Sequence, residues 1–270
     1  MSQAENGTTA AIRARAEAQF APAAREYVTS SIHARGADLA RLVALAAPRG
    51  HEQVLDVATG GGHAALALAP HVHHVIASDL TLAMLHAARE HLTGQGATNV
   101  SYLRAAAEHL PLATASLDLI VCRIAAHHFA DVRAFVRGSA AALRPGGTLI
   151  VADHIGLEDP DFDAFMDRFE RWRDPSHVRA YSFAEWRALC AEAGLTVTHT
   201  EEDRKESYEF ASWTARMRMP ETEKVALERW LLDAEPRFRE RFAIVEQDGR
   251  LISLRGTFGM IVARKEARER

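Results

Sequence analysis

The sequence predicts an α/β fold in which a mostly parallel β-sheet carries helices on both faces. Short apolar runs alternate with helix-prone segments over about 100 residues, which is typical of strand–helix–strand units. A glycine-rich turn joins the first apolar run to a helix, and polar residues follow each run. The predicted strands are 54–57, 73–78, 100–103, 117–123 and 148–152.

The glycine turn follows the first predicted strand, within Val54–His63. Glycines there can adopt positive φ and let a ligand approach the backbone, since no Cβ is in the way. The next helix directs free N–H groups and a partial positive charge to the same point. The spacing of Gly60, Gly62 and Ala65 fits the dinucleotide fingerprint. That signal is weak alone, because a glycine turn without a ligand is the common alternative.

Two carboxylates strengthen the interpretation of this turn as part of a ligand site. Asp56 ends the strand before it, where a carboxylate can reach a cationic group of a ligand. Asp79 ends the next strand, 23 positions later, close to the spacing of about 20 expected for an acidic residue that binds a ribose. Right-handed crossovers bring the carboxyl ends of parallel strands to one edge of the sheet. We therefore predict one ligand site at the five polar ends, which are Asp56, Asp79, 105–108, 123–128 and Asp153–His154.

Composition narrows the class of protein. The 270 residues are 48% hydrophobic and 25% charged, which predicts one large domain or one domain with an insertion. A net charge of −4 argues against nucleic acid as a partner. Cys122 and Cys190 form neither a disulfide framework nor a metal motif, so we predict a reducing, cytoplasmic location. We find no apolar run that spans a bilayer and no signal peptide, and we predict disorder for residues 1–9.

Beyond His154 the pattern is less regular. The apolar spacing still predicts helices, and Ser182 with Glu185 has the capping-box spacing. The predicted elements are helices over 161–173 and 182–193, a strand over 195–200, helical segments over 206–242, a hairpin within 242–254 and a strand over 257–263.

Five motifs follow one another in a specific order across about residues 37–154. They are Leu55–Gly62, Ala107–Pro111, Leu117–Val121, Ala126–Phe129 and Leu143–Thr148. Together they resemble the class I S-adenosylmethionine-dependent methyltransferases, specifically the methyltransferase type-11 group, which includes the ubiquinone/menaquinone biosynthesis C-methyltransferases. The resemblance implies a Rossmann-like, seven-stranded sheet with a reversed last hairpin over about 195–204 and 257–264. It also implies S-adenosylmethionine as cofactor and S-adenosylhomocysteine as product.

The resemblance implies that the chain is divided into three parts. Residues 1–36 would form an N-terminal helical lid, with Phe20, Tyr27 and His33 as candidates to cover the cofactor. Ordinary helix packing and a solvated loop are the alternative for these three residues. Residues 37–205 with 257–264 would form the cofactor-binding core. Residues 206–256 would form an inserted helical and hairpin cap that shapes the acceptor pocket.

Roles at the methionine and ribose end are carried over by position. Asp56 and the turn would face the methionine moiety, with the carboxylate acting partly through water on the ammonium group. Asp79 would accept hydrogen bonds from both ribose hydroxyls. Arg123 would offer its backbone to the methionine amino group, and His128 would lie beside the expected methyl position. The turn residues implied are Ala58, Thr59, Gly60 and Gly62, with Ala58 in place of the first glycine of the family pattern.

The adenine end departs from the family pattern. Leu80 would pack on the base, and Ala107 and Glu108 would border it. Ala106 stands where the family usually has the aspartate that holds the adenine amino group. Adenine recognition would therefore depend on backbone groups or on Glu108.

Four histidines are candidates for a base at the acceptor. Proton removal matters when the acceptor is a phenol or an enolisable carbon, and histidine suits it near neutral pH. The candidates are His127, His128, His154 and His177. Alternatively, the His127–His128 pair only hydrogen-bonds loop backbone, as it is widespread in the family whatever the acceptor. His177 and Arg179 could instead form a structural turn with an ion pair.

The predicted cap favours a small, largely apolar acceptor, methylated on O, C or N, such as a quinone, a phenol or a secondary metabolite. This rests on the aromatic and methionine residues within 206–242, for which core packing is the alternative. They are Tyr208, Phe210, Trp213, Met217, Met219 and Trp230.

Other functions remain open at this point. A NAD(P)-dependent oxidoreductase would share the glycine fingerprint and the ribose carboxylate, although Asp56 and the turn at 144–147 favour S-adenosylmethionine. A second alternative binds S-adenosylmethionine without methyl transfer. A metal enzyme is the third, but the 14 histidines are scattered, so we predict no metal site. We expect a small-molecule partner, no nucleic acid and no membrane span, and we leave a homodimer open.

Overall fold

A seven-stranded sheet forms the centre of the protein. The computed structural model describes residues 3–29, 36–203 and 207–267. The strands are, in chain order, β1 Gln53–Val57, β2 His74–Asp79, β3 Val100–Arg104, β4 Leu117–Arg123, β5 Leu143–His154, β6 Leu195–Asp203, β7 Tyr208–Glu209, β8 Val245–Gln247, β9 Arg250–Leu254 and β10 Phe258–Lys265.

Helices surround this sheet and build the segment between β7 and β10. They are, in chain order, α1 Gln3–Phe20, α2 Ala24–Thr29, α3 Ala37–Ala46, α4 His63–Leu68, α5 Leu82–Gly94, α6 Val132–Ala142, α7 Pro160–Arg173, α8 Phe183–Glu192, α9 Phe210–Ala215, α10 Glu221–Leu232 and α11 Pro236–Arg241. None of these helices is long and apolar enough to cross a bilayer, over the residues that the structure describes.

The strand order confirms the predicted sheet. It is β3-β2-β1-β4-β5-β10-β6, and the pairs from β3 to β5 are all parallel. β10 lies between β5 and β6 and is antiparallel to both. The predicted reversed last hairpin is therefore confirmed. Within it β10 is the reversed strand, and β6 runs parallel to β5 because both strands are antiparallel to β10.

Two hydrophobic layers hold the helices on the sheet. Val54 and Leu55 are consecutive in β1, both fully buried, and belong to opposite layers because side chains alternate along a strand. On one face, Leu42 of α3, Leu68 of α4 and Leu92 of α5 join Val54. The other layer is formed with α6 and α8, and it includes Phe135, Trp186 and Leu189. The helix coverage on both faces agrees with the predicted class.

The amino-terminal segment differs from the prediction. α1 begins at Gln3, so the expectation of disorder across residues 1–9 is wrong from residue 3 onwards. Pro22 lies in a short 3₁₀ turn, Ala21–Ala23, which separates α1 from α2. Proline is tolerated there because the first turn of a helix leaves its N–H groups without intrahelical acceptors.

The segment Arg144–Gly147 is a bulge within β5. The sequence pattern predicts a turn here, at the end of the preceding helix. In the structure, Leu117 pairs with Leu143 and Leu119 with Thr148, so the extra residues loop out while the strand continues.

A second, smaller core lies under the cap. β7, β8 and β9 form a three-stranded sheet in the order β7-β9-β8, and α9, α10 and α11 surround it. Phe165 and Phe169 of α7 pack into this core from the main domain. Most of the aromatic residues of the cap are therefore core residues, as the alternative interpretation held. They include Phe210, Trp213, Trp230 and Phe242.

We predict that Gly259→Ala destabilises the protein by about 1–3 kcal/mol, as overpacking does in a tight core. Gly259 pairs with Asp153 in the sheet, and an added Cβ would lie 2.6 Å from the backbone oxygen of Glu201 and 2.8 Å from Cζ of Phe183. Urea unfolding measures the loss.

Gly138→Ala is the matched control for that measurement. Gly138 lies within α6, and an added Cβ there meets nothing within 4 Å. Alanine should stabilise this helix position by about 0.5–1 kcal/mol, because glycine loses more conformational freedom on folding. Equal stability of Gly259→Ala and the wild type would contradict the proposed close packing of β10.

Candidate functional site

A cavity opens at the carboxyl ends of β1, β2, β4 and β5, the edge at which the sequence predicted a ligand site. α1 and α2 border one side of it, and residues of β7 and of the segment after α9 border another. Most residues that the family resemblance implied for the cofactor line this cavity. They are Phe20, Tyr27, Asp56, Ala58, Thr59, Gly60, Asp79, Leu80, Ala106, Ala107, Glu108, Arg123 and His128.

The glycine turn folds around the carboxylate of Asp56. The Thr59 hydroxyl donates to Asp56 Oδ2 at 2.6 Å, and the backbone N–H of Ala65 donates to the same oxygen at 3.0 Å. Oδ1 accepts no hydrogen bond from the described residues. Ala58 and Gly60 both have a φ of +54°, so alanine adopts the left-handed region in place of the expected first glycine.

Gly62 has a packing role and does not line the cavity. It precedes α4 with a φ of +82°. An added Cβ would lie 2.5 Å from Cδ1 of Leu92, which is fully buried in α5. The glycine therefore lets α5 pack against the start of α4. Its implied contact with the cofactor stays a prediction.

Asp79 ties the ends of β1 and β2 together. Its Oδ2 accepts the backbone N–H of Gly60 at 3.0 Å, and its Oδ1 accepts that of Thr81 at 2.8 Å. Both bonds orient the carboxylate at the cavity wall while leaving oxygen lone pairs for further donors. The sequence identified Asp79 from its position after a strand, and the structure shows why it is held there.

Burial perturbs both carboxylates. It raises the pKa of Asp56 from 3.8 to about 6, although the bonds from Thr59 and Ala65 oppose the rise. It also raises the pKa of Asp79, against the two backbone donors. A buried carboxylate that is poorly compensated by the protein favours a ligand that brings a positive charge or hydrogen-bond donors.

Glu108 is engaged by the protein itself. Its Oε1 accepts the backbone N–H of Ala130 at 2.9 Å, and its Oε2 lies 3.2 Å from the guanidinium of Arg13 in α1. Leu80 and Met84 supply apolar surface on the same side of the cavity. This end therefore offers a flat apolar wall and backbone groups, with Glu108 linking α1 to the sheet.

Arg123 forms a buried ion pair that sequence reasoning missed. Its Nε lies 2.5 Å from Asp38 Oδ2 and its Nη2 lies 3.0 Å from Asp38 Oδ1. Both side chains line the cavity below Asp56. Asp38 lies in the first turn of α3, where an acidic residue is common. Nothing local in the sequence identifies Arg123, 85 positions away, as its partner.

The four candidate histidines form one cluster, yet only three line the cavity. The ring of His127 lies 3.9 Å from that of His128, 4.6 Å from His154 and 5.2 Å from His177, measured between centroids. His127, His128 and His154 line the cavity, whereas His177 is not among its lining residues. His177 instead lies near Asp167, at 3.8 Å between Nε2 and Oδ1.

Hydrogen bonds fix the tautomer of His127. Its Nδ1 donates to Oδ1 of Asp153 at 2.6 Å, and Oδ2 of Asp153 accepts the His127 backbone N–H at 3.0 Å. The proton is therefore on Nδ1, and the lone pair is on Nε2. Nε2 makes no hydrogen bond within the described part of the chain.

The other two histidines of the cavity wall have weaker partners. Nδ1 of His128 donates to the carbonyl of Ser176 at 3.1 Å, and its Nε2 lies 4.0 Å from Oδ2 of Asp174. Nδ1 of His154 is buried, accepts or donates no hydrogen bond within the described ranges, and lies 3.8 Å from Oε1 of Glu170.

Burial keeps three of the four imidazoles, those of His127, His154 and His177, neutral near neutral pH. It lowers the pKa of His127 well below 6.5, and the neighbouring histidines lower it further. Burial lowers the pKa of His154 to about 4, although Asp153 opposes the change. It also lowers the pKa of His177 far below the ordinary range. A neutral imidazole with a free nitrogen can accept a proton from a bound molecule.

The lid candidates Phe20 and Tyr27 both line the cavity. Phe20 contacts His128 edge-on, at 4.8 Å between ring centroids. Tyr27 lies against the glycine turn, since its carbonyl is 3.0 Å from Nε2 of His63. Burial raises the pKa of Tyr27 to about 12. His33, the third candidate, lies outside the described residues.

The cap and α7 contribute lining residues that the sequence analysis did not single out for the site. From the cap, Arg216 reaches the cavity beside Tyr208 and Met217. Arg173 and Asp174, at the carboxyl end of α7, do the same. Charged residues at helix ends are ordinary surface features in a sequence, so no local pattern marked them.

No metal-binding arrangement accompanies the histidine cluster. Across residues 3–29, 36–203 and 207–267, no group of three or more His, Cys, Asp or Glu side chains could hold an ion.

Comparisons with known proteins agree with this geometry. A family profile described as a methyltransferase domain matches residues 55–151. The uncharacterized methyltransferase YcgJ of Bacillus subtilis (strain 168) is 35% identical over 238 residues, covering 88% of this chain and 94% of that protein. A structure from Bacillus halodurans C-125, assigned as a methyltransferase, superposes with a TM-score of 0.84 at 38% identity, covering 86% of this chain and 100% of that one.

The quinone-pathway branch is more distant. The ubiquinone/menaquinone biosynthesis C-methyltransferase UbiE of Haemophilus ducreyi is 26% identical over 170 residues, 62% of this chain and 58% of that protein. The family assignment rests on the motif at the glycine turn, on the strand order, and on relatives that match most of the chain. The chain belongs to the class I S-adenosylmethionine-dependent methyltransferases.

Proposed function

We propose that this protein transfers a methyl group from S-adenosylmethionine to an O, C or N atom of a small molecule. One observation carries the proposal. The buried carboxylates of Asp56 and Asp79 end adjacent strands at one cavity, which continues to His127 and His154. The proposed cofactor end and the proposed acceptor end would thus share one cavity.

The residues present fit S-adenosylmethionine. Asp79 has acceptor capacity for sugar hydroxyls beyond the two backbone donors that orient it. Asp56 is buried with Oδ1 unbonded by the described residues, which suits an ammonium group. Leu80 and Met84 offer an apolar surface for the base. When bound, the cofactor would supply an electrophilic methyl group on a sulfonium.

The protein's own contribution is alignment and exclusion of water. The methyl donor and the acceptor must approach in line, and holding both reactants lowers the barrier by pre-ordering them. α1 and α2 close one side of the cavity: Arg13 reaches Glu108 on the sheet side, and Gln19 reaches Met217 on the cap side, with Nε2 3.4 Å from Sδ. These contacts support the proposed lid, which would open for exchange of the cofactor.

We assign the role of base to His127 when the acceptor must lose a proton. The bond from Nδ1 to Asp153 leaves the lone pair on Nε2 and would stabilise the imidazolium that forms. His128 and His154 remain as alternatives in the same wall. His177 lies outside the lining, which favours a structural role for it.

An oxidoreductase would also use a ribose carboxylate, so the cofactor must be tested directly. Titration calorimetry with S-adenosylhomocysteine and with NAD distinguishes the two. Binding of NAD alone would overturn the proposal. A protein that binds S-adenosylmethionine without methyl transfer would show cofactor binding but no S-adenosylhomocysteine release across a panel of phenols, acids and amines. A cytoplasmic location and a homodimer also remain proposals.

We predict that Asp79→Asn weakens S-adenosylhomocysteine binding by about 100-fold, because charge-assisted hydrogen bonds to the sugar would be lost. Calorimetry gives the dissociation constant. Thermal unfolding without ligand checks that the fold persists, since asparagine can still accept one backbone bond. Affinity within about twofold of the wild type would remove Asp79 from the site.

We predict that Asp56→Asn stabilises the ligand-free protein by about 1–3 kcal/mol at neutral pH while weakening cofactor binding at least about tenfold. The pKa of Asp56 is raised on folding, so the wild type binds more protons folded than unfolded and loses stability as pH rises from 3.8 to about 6. Urea unfolding as a function of pH measures this. The difference between variant and wild type should shrink at acidic pH, and a wild type more stable at every pH would contradict the assignment.

We predict that His127→Asn lowers kcat by about 10²–10⁴-fold for an acceptor that must be deprotonated. Asparagine can keep the donor to Asp153 but lacks Nε2, so folding and S-adenosylhomocysteine affinity should be retained. Release of S-adenosylhomocysteine gives the rate, and His128→Gln and His154→Gln identify the base if the loss follows one of them. His177→Asn is the matched control in the same cluster. Unchanged turnover in His127→Asn would exclude it as the base.

A further inference from the structure

We propose that Arg173 and Arg216 bind an oxyanion, a carboxylate or a phosphate, on the methyl acceptor. This inference rests on the proposed methyl transfer and specifies the substrate class of the same cavity. It replaces the expectation of a largely apolar acceptor with an acidic small molecule whose anionic group faces the cap.

Arg173 is a buried cation without a hydrogen bond. Its side chain is 9% exposed, and no hydrogen bond joins its guanidinium to any group in the described residues. Nε is fully buried and has no hydrogen-bond partner among the described residues. The carboxylates nearest to it are Glu170 and Asp174, at 3.9 Å from Nε and 3.8 Å from Nη2. Buried arginines normally have hydrogen-bonded partners, so five donors left unused at a cavity wall indicate a missing acceptor.

Arg216 presents a second cation from the cap. It follows α9 and lines the cavity half-buried, and no hydrogen bond or ion pair joins its side chain to another described residue. Burial and the nearby charge of Arg173 lower its pKa. The two guanidinium groups thus repel each other at the same wall, and an anion between them would relieve that repulsion.

The neighbouring carboxylates neutralise this wall only in part, through long ion pairs from Arg173 to Glu170 and Asp174. Oδ1 of Asp174 already accepts the backbone N–H and the hydroxyl of Ser176, at 2.9 and 2.5 Å. Its Oδ2 lies 4.0 Å from Nε2 of His128 and 3.8 Å from Nη2 of Arg173, so it is shared between the two. Glu170 does not line the cavity, and burial raises its pKa, which disfavours its charged form. One shared carboxylate, that of Asp174, therefore faces two cations in the cavity lining.

The position of the pair sets the orientation of the acceptor. Arg173 and Arg216 belong to α7 and the cap, whereas His127 and His154 belong to the sheet side of the same cavity. An acceptor held by its oxyanion at the arginines would direct its other end towards the histidines. Cζ of Arg173 lies 4.7 Å from the ring centroid of Trp213, a cation–π contact that restrains the guanidinium group.

The test compares matched probes on protein saturated with S-adenosylhomocysteine. The first pair is 3,4-dihydroxybenzoate and catechol, and the second pair is phenyl phosphate and phenol. Calorimetry should show at least about tenfold tighter binding of an acidic probe than of its neutral partner, since a charge-assisted bidentate contact is worth that much. The two acidic probes distinguish a carboxylate from a phosphate.

Arg216→Gln should remove most of this preference while leaving S-adenosylhomocysteine affinity unchanged, and Arg216→Lys should restore part of it. Arg173→Lys is a second variant, with circular dichroism as the check on folding. Arg229→Gln is the matched control, because Arg229 is an exposed cation of α10 paired only with Asp233 among the described residues. It should keep the full preference.

Equal binding of the acidic and neutral probes, or no binding of either at millimolar concentration, would overturn the inference. A preference that survives in Arg216→Gln and Arg173→Lys, or that is lost equally in Arg229→Gln, would also overturn it. Failure of the proposed function gives a different result: S-adenosylhomocysteine would not bind, or it would bind without any probe being methylated, whereas the preference for an acidic probe is measured by binding alone.

Discussion

The burial of two carboxylates at neighbouring strand ends is the constraint on which the rest of the site depends. Asp56 and Asp79 are almost fully buried, and removing a charge from water is costly unless donors replace the lost hydration. The glycine turn supplies part of that replacement, because the backbone of Gly60 donates to Asp79 and Thr59 donates to Asp56. Oδ1 of Asp56 has no hydrogen bond from the described residues, so it can accept one from a bound molecule.

The same constraint explains the local geometry of the turn. Ala58 and Gly60 take positive φ so that backbone donors point inward, and Gly62 leaves room for Leu92 of α5. Strand, turn and helix are therefore coupled: the chain can present the carboxylates only if the helices pack closely behind them. The glycine turn therefore both positions the carboxylates and lets the helices pack closely.

The cavity divides into an end built by the sheet and an end completed by the cap. The sheet end consists of backbone donors and buried carboxylates, which would bind the same cofactor whatever the acceptor is. The other end draws on α7 and the cap, whose own core of aromatic residues holds Arg173 against Trp213. The cap can vary in sequence without disturbing the sheet, because the two have separate hydrophobic cores.

Short-range patterns in the sequence predicted much of the cavity wall that the strand ends form. Asp79 and the glycine turn were found because a strand end and a turn are short-range features. The same holds for the capping box of Ser182 with Glu185, which the structure confirms. The bulge in β5 was misread as a turn, since a looped-out segment and a turn have the same composition.

The amino-acid sequence by itself determined the alternation of strands and helices, the glycine turn and the acidic residues at strand ends, because hydrophobic periodicity and backbone preference act over a few residues. Only the tertiary structure decided that Asp38 pairs with Arg123, that His177 stays out of the cavity lining, and that Arg173 and Arg216 meet there. Those outcomes depend on contacts between segments far apart in the chain, and no local pattern records which distant side chains the packing of helices and cap will bring together.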